Sequence, residues 1–231
     1  MRNLSPPGPT APKGFFGLPA KVRQRIYESV LILAHPIYLF QGQGSQVEVF
    51  APEKPRKWLA LFQISRQMHK EASAVLYGSN IFNLVDTTEK QPDLLHSFLK
   101  SIGSLNSGAL KHVCIQFPGV EIAQDRARRC KLAEENPSGS SLLQQECTSL
   151  KLKTLEVFLH NQKTSGLTQL IEDDPTSATE ALSQIDTQLN AISSLVNIIV
   201  RVYDKNLNPL LEPAMKRLGW TVLHGDEMTH G

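Results

Sequence analysis

A helix followed by a strand recurs through the second half of this chain, and the regularity of that recurrence limits the fold more than any other feature. PDLLHSFLKSIG reads as a helix and LKHVCIQF as a strand. SLLQQECTSL with LKTLEVFL, then SATEALSQIDTQLNAISSL with VNIIVRVY, repeat the order, and NPLLEPAMKRLG with WTVL gives a shorter last pair. The strand centres Val113, Leu155 and Ile198 stand 42 and 43 residues apart, a supersecondary period. A strand reaches a parallel neighbour only through a crossover of about a dozen residues or more, and each helix supplies one. Stacked α/β units with parallel neighbouring strands are therefore expected, with Val113, Ile115, Val157, Ile198 and Val200 buried. The intervening PGVEIAQDRARRCKLAEENPSGS and NQKTSGLTQLIEDDPT read as polar insertions.

The N-terminal part is built differently. Leu18-Pro19 opens a helix, because proline at the first turn lacks only an N–H that would be unpaired there anyway. At 100° per residue, Val22, Ile26, Val30 and Leu33 form one apolar stripe and Tyr27, Leu31 and Ala34 a second beside it. Arg23 falls between the stripes, while Lys21, Arg25 and Glu28 share the opposite, wet face. His35-Pro36 ends this helix. PIYLF and VEVF, joined by a glycine-bearing loop, read as a hairpin from Ile37 to Phe50. After the connector APEKPRK, a second long helix carries Leu61, Ile64, Met68, Ala72 and Val75 at helical spacing, ends at Gly78 and leads into the strand IFNLV.

A chain of 231 residues can bury roughly 70 to 75% of its extended surface, and 41% hydrophobic with 20% charged residues is an ordinary globular balance. No apolar run reaches the roughly 18 residues of a membrane span. MRNLSPPGPTAPKG lacks the apolar segment of a secretory signal and reads as a disordered leader. Cys114, Cys130 and Cys147 are an odd set without CxxC spacing, which suits reduced thiols in the cytoplasm or nucleus. The net charge of +2 hides an asymmetry: residues 1 to 80 hold ten Lys and Arg against four Asp and Glu, and residues 81 to 231 fourteen against eighteen. A basic module meeting an acidic partner is one reading, scattered solvated charge the other.

Two stretches are recognisable together. LPAKVRQRIYESVL resembles the opening helix of the fungal F-box-like proteins, and ALFQISRQMHKEASAVLYGSNIFNL resembles their second signature, which reaches Glu-Ala and ends in Tyr-Gly-x-Asn-x-Phe. FLKSIGSLNSGALKHVCIQF is similar to what commonly follows. Lys21 stands where the family usually has Glu, Ser65 where it often has Cys, and the hairpin separates two helices that an F-box connects more tightly. The resemblance covers roughly the first half of the chain, the second half being similar only in texture, and the expected organisation is a disordered leader over 1–16, an F-box-like module over 17–90 and an irregular, leucine-rich-repeat-like region over 91–231. The expected fold class is α/β, with an α+β helix-hairpin-helix-strand module packed on the α/β units. The implied role is that of a non-enzymatic adaptor, the substrate-recognition subunit of a cullin-type ubiquitin ligase, monomeric outside its complex. Its partners would be a Skp-type adaptor and a protein substrate, with no cofactor, nucleic acid or membrane. A scaffold of the same fold without the ligase role and an enzyme with an unrecognised site are the alternatives.

Arg23 is expected to pair with Glu71, which lies at the edge of the second helix's apolar arc, because a charge inside an apolar arc is normally partnered. Leu18, Pro19, Val22 and Ile26 suit an intramolecular core first and an adaptor-facing surface second, with Lys21 and Arg25 beside them as exposed partner contacts. His69 and Glu71, two apart on a helix, diverge, no HExxH or clustered His/Cys pattern exists, so no metal site is expected, and the other histidines read as incidental. Ser97-Phe98-Leu99-Lys100 has SxxK spacing without its companion motifs, and Gly42-Gln43-Gly44 lacks the helix that would cradle a phosphate. Arg126, Arg128 and Arg129 read as a solvated loop before an RNA contact.

Overall fold

The structure is a computed structural model that describes residues 14–41, 46–52, 58–86, 90–118, 151–160, 175–190, 192–203 and 207–225. The helix expected at SLLQQECTSL, both long insertions apart from Pro118, Pro175 and Thr176, the glycines of the 42–44 loop, Arg126, Arg128, Arg129, Cys130 and Cys147 lie outside them. The helices are α1 (Ala20–Leu31), α2 (Arg66–Ser79), α3 (Gln91–Ser107), α4 (Pro175–Asn190) and α5 (Leu211–Arg217). The strands are β1 (Ile37–Gln41), β2 (Val47–Phe50), β3 (Ile81–Leu84), β4 (His112–Gln116), β5 (Thr154–Leu159), β6 (Asn197–Val202) and β7 (Thr221–His224).

All seven strands join one sheet in the order β2-β1-β3-β4-β5-β6-β7. Among the described residues, only the β1–β2 hairpin pair is antiparallel; every other neighbour is parallel. The mixed α/β class and the parallel pairing agree with the sequence reading, and among the described residues α3, α4 and α5 each fall between strands that pair in parallel. β3 pairs with β4, so the sheet runs on from the N-terminal helices into the repeating units.

The register aligns Ile37, Phe82, Val113, Leu155 and Ile198 in one row across the sheet. Each is buried, as are Val157 and Val200 two residues further along. Ring contacts Tyr77–Phe82, Phe82–Phe98 and Phe117–Trp220 place α2, α3 and the turn after α5 against this face. The two-residue period of a strand then sends Tyr38, Asn83, Cys114, Glu156, Ile199 and Thr221 to the other face, again as one register-aligned row. One row is apolar and dry, and the other mixes aromatic, amide, thiol and carboxylate groups.

Several boundaries differ from the sequence reading. Pro19 is the residue before α1 rather than its first turn, and its carbonyl accepts from Val22 and Arg23. Helix α1 ends at Leu31, not at His35-Pro36, because the buried amide of Asn80 donates to the Leu31 carbonyl and accepts from the Leu33 N–H, each at 2.9 Å. The same amide donates to the Leu76 carbonyl, so one side chain closes both helices and α2 runs past Gly78 to Ser79. The apolar run from Trp58 splits into a 3-10 turn, Trp58–Gln63, and α2, whose N-terminus is capped by Ser65 accepting from the Met68 N–H. At Gly103, φ is +77°, which breaks the helical path as expected, yet helical turns resume to Ser107.

Candidate functional site

Helix α1 divides its wide apolar arc between two environments. Arg23, Tyr27 and Leu31, four residues apart, are buried against α2. Leu18, Val22, Ile26 and Val30, one position ahead of that row after Leu18, remain 37%, 41%, 38% and 37% exposed. This corrects the expectation that Leu18, Pro19, Val22 and Ile26 are core: α2 meets only one stripe, and the second turns to solvent with Pro19. Lys21 and Arg25 are exposed beside it. A lone surface valine needs no explanation, whereas a four-membered row on successive turns is a continuous apolar patch.

The buried stripe is latched by Arg23 and Glu71. Arg23 donates Nε to Glu71 Oε2 at 2.9 Å and Nη2 to Oε1 at 2.7 Å, a fork on a carboxylate, and Nη1 to the Leu18 carbonyl at 2.6 Å. Tyr27 and Gln67 also donate to Glu71, at 3.1 and 2.9 Å. The Arg23 hydrogen bond, against the opposing effect of burial, lowers the Glu71 carboxyl from 4.5 to about 2. Burial and the hydrogen bond to Glu71 push the Tyr27 phenol up to about 12. The latch orients α1 so that its second stripe faces outward.

A cavity of about 360 Å³ lies between the hairpin, the 3-10 turn, α2 and α3, walled by Leu39, Trp58, Phe62, Tyr77 and Phe98. That volume suits a small molecule. Two of its polar groups are already engaged: His69 Nδ1 lies 3.1 Å from the Phe62 carbonyl, and the Ser101 hydroxyl donates to the Phe98 carbonyl at 2.7 Å. The cavity offers apolar shape rather than reactive groups. His69 and Glu71 diverge, Glu71 belonging to the latch, and Ser97 is half-buried on α3.

On the second face of the sheet, Glu156 gathers a cluster that the sequence reading passed over. Arg201 Nε donates to Oε1, His112 Nε2 lies 3.2 Å from Oε2, and the Cys114 thiol donates to the same Oε2 across 3.8 Å. Burial pushes the Glu156 carboxyl up, but the hydrogen bonds from His112 and Arg201 outweigh it and leave it below its ordinary value. Burial and the neighbouring carboxylate push the Cys114 thiol up. His160 and Tyr203 stack at 4.7 Å, with Phe158 edge-on to Tyr203. The histidines are therefore not all incidental. The overlooked signal was a two-residue strand spacing, His112 to Cys114, combined with the 42-residue period that sets Cys114 beside Glu156.

No family model, curated protein or solved structure matches this chain.

Proposed function

We propose that the chain is a non-enzymatic adaptor whose α1 docks, through Leu18, Val22 and Ile26 with Pro19 beside them, on a Skp-type subunit of a cullin ubiquitin ligase. The observation that carries this reading is the exposed apolar row of α1, continued by Val30 and flanked by the cations Lys21 and Arg25. An apolar strip rimmed by charge is the anatomy of an interface, with burial supplying affinity and the rim supplying orientation and association rate. The excess of basic residues over residues 1 to 80 favours an acidic partner. The F-box-like resemblance of LPAKVRQRIYESVL assigns that partner to the Skp class. On this reading the units of the second half act like leucine-rich repeats, and the sheet face that carries the partly exposed Phe158, Tyr203 and Arg201 holds a protein substrate.

Affinity purification of the tagged full chain from its own cells, with a tag-only control, tests the reading. Enrichment of Skp and cullin subunits is expected. Recovery of other proteins without either subunit overturns the ligase role and leaves a scaffold of the same architecture.

A further inference from the structure

His112, Cys114 and Glu156 converge from adjacent strands for a geometric reason. Residues two apart on a strand share a face, so His112 and Cys114 stand side by side on β4, and the parallel register puts Glu156 of β5 opposite Cys114. We infer that these three side chains form a zinc(II) site, with His112 Nε2, Cys114 Sγ and Glu156 Oε2 as the ligand atoms. All three atoms lie within 4.8 Å of one another, the His112–Glu156 and Cys114–Glu156 separations being 3.2 and 3.8 Å. Around a tetrahedral zinc with bonds of about 2.0 to 2.3 Å, ligand atoms stand roughly 3.3 to 3.7 Å apart. Two edges of the triad thus match a face of the coordination tetrahedron, and the His112–Cys114 edge, within 4.8 Å, closes on the metal by a side-chain adjustment of about an ångström or less.

The donor set selects the metal class. One thiol sulfur, one imidazole nitrogen and one carboxylate oxygen suit zinc, whereas magnesium and calcium take oxygen donors. Arg201 grips Glu156 through Oε1 and leaves Oε2 for the ion, the outer-shell support that ligating carboxylates commonly have. Three protein ligands leave the fourth position for water. Asn83 adjoins Cys114 in the same row, and its Oδ1 is buried without a hydrogen-bond partner among the described residues, an acceptor for the proton of such a water. Cys114 is fully buried, while His112 and Arg201 are 24% and 31% exposed in their side chains, so the ion enters from the His112 and Arg201 side.

Binding is proton-coupled. The S–H bond of Cys114 breaks, an S–Zn bond forms and that proton leaves to solvent, while the neutral His112 imidazole binds as the tautomer that carries its proton on Nδ1 and frees Nε2 for the metal, with no change of oxidation state. Arg201 opposes the incoming cation, and the negative charges of Glu156 and the newly formed thiolate exceed that single positive charge.

The test is titration of the full chain, stripped with chelator and kept reduced, with cobalt(II) and then zinc(II). Cobalt should give a thiolate-to-metal charge-transfer band saturating at one equivalent, with zinc displacing it and one proton released per zinc from the thiol. His112→Gln, which keeps a hydrogen-bond donor near Glu156, should weaken zinc at least tenfold, and Cys114→Ser should abolish the band. A Cys130→Ser/Cys147→Ser variant should retain it, and thermal melts establish which variants are folded. If the unaltered chain shows no band at one equivalent, or if the band follows Cys130 and Cys147 instead, the site is an ion-pair network without metal and the inference falls. The titration of the unaltered chain decides even if a variant fails to fold.

Discussion

Two carboxylates, Glu71 between helices and Glu156 on the sheet, are each gripped by an arginine, yet they do different work. Glu71 receives Arg23, Tyr27 and Gln67, all donors, at 2.7 to 3.1 Å. Such a set fills the acceptor sites of a carboxylate and has no further use for an ion. Glu156 receives one arginine on one oxygen and shares the other between an imidazole and a thiol. Those two groups are potential ligands as well as donors. The helix seam is therefore a closed latch that aims α1, whereas the sheet cluster is an open set of unlike atoms. Glu156 is also the deeper of the two, its side chain 7% exposed against 28% for Glu71, so the two differ both in burial and in whether their neighbours are donors alone or donors that can also ligate a metal.

The comparison breaks first if a buried carboxylate needs no partners at all. Val200, fully buried on the apolar face, is the place to ask: Val200→Asp should destabilise the chain by about 4 kcal/mol or more, read by chemical denaturation. An unchanged midpoint would mean that this face is not core. Asn80→Ala comes next, since it leaves the Leu31 and Leu76 carbonyls and the Leu33 N–H without their shared partner; a loss of about 2 to 3 kcal/mol is expected. Arg23→Met and Glu71→Gln should each lower the thermal midpoint by roughly 3 to 6 °C, and the double variant by little more than the worse single. Strict additivity would show that the two do not act as one latch.

The pH dependence of the latch has a definite sign. Glu71 titrates at about 2 when folded against about 4.5 when unfolded, so its stabilisation is complete above about 4.5 and is lost as pH falls through about 2. The difference in stability between the unaltered chain and Glu71→Gln should shrink over that acid range and stay level above it. The smallest effect is expected at the rim: Lys21→Glu with Arg25→Glu should change stability by less than about 0.5 kcal/mol while slowing association with an acidic partner, most clearly at low salt.

The parallel sheet was legible because a strand buried on one face and separated by 42 or 43 residues from the next has few other ways to pair. The Arg23–Glu71 contact was legible because both charges interrupt or edge apolar arcs. The exposure of Val22 and Ile26 was not: an apolar stripe has the same spacing whether its own fold or another protein covers it. Nor was the role of Asn80 evident, since a single amide gives no periodic signal and only the meeting of two helix ends assigns it three hydrogen bonds. The Glu156 cluster has neither helical nor zinc-finger spacing, because Cys114 and Glu156 are joined by strand register across 42 residues.

The central claim is that the outward stripe of α1 is a docking face and not spare core. Its most direct test is equilibrium binding of the purified full chain to a purified Skp-type subunit, comparing the unaltered protein with Val22→Ser/Ile26→Ser. Both side chains are exposed, so the variant should melt within a few degrees of the parent. It should bind at least tenfold more weakly, while the parent forms a one-to-one complex. Absence of a complex with the parent, or equal affinity for both proteins, would contradict the account.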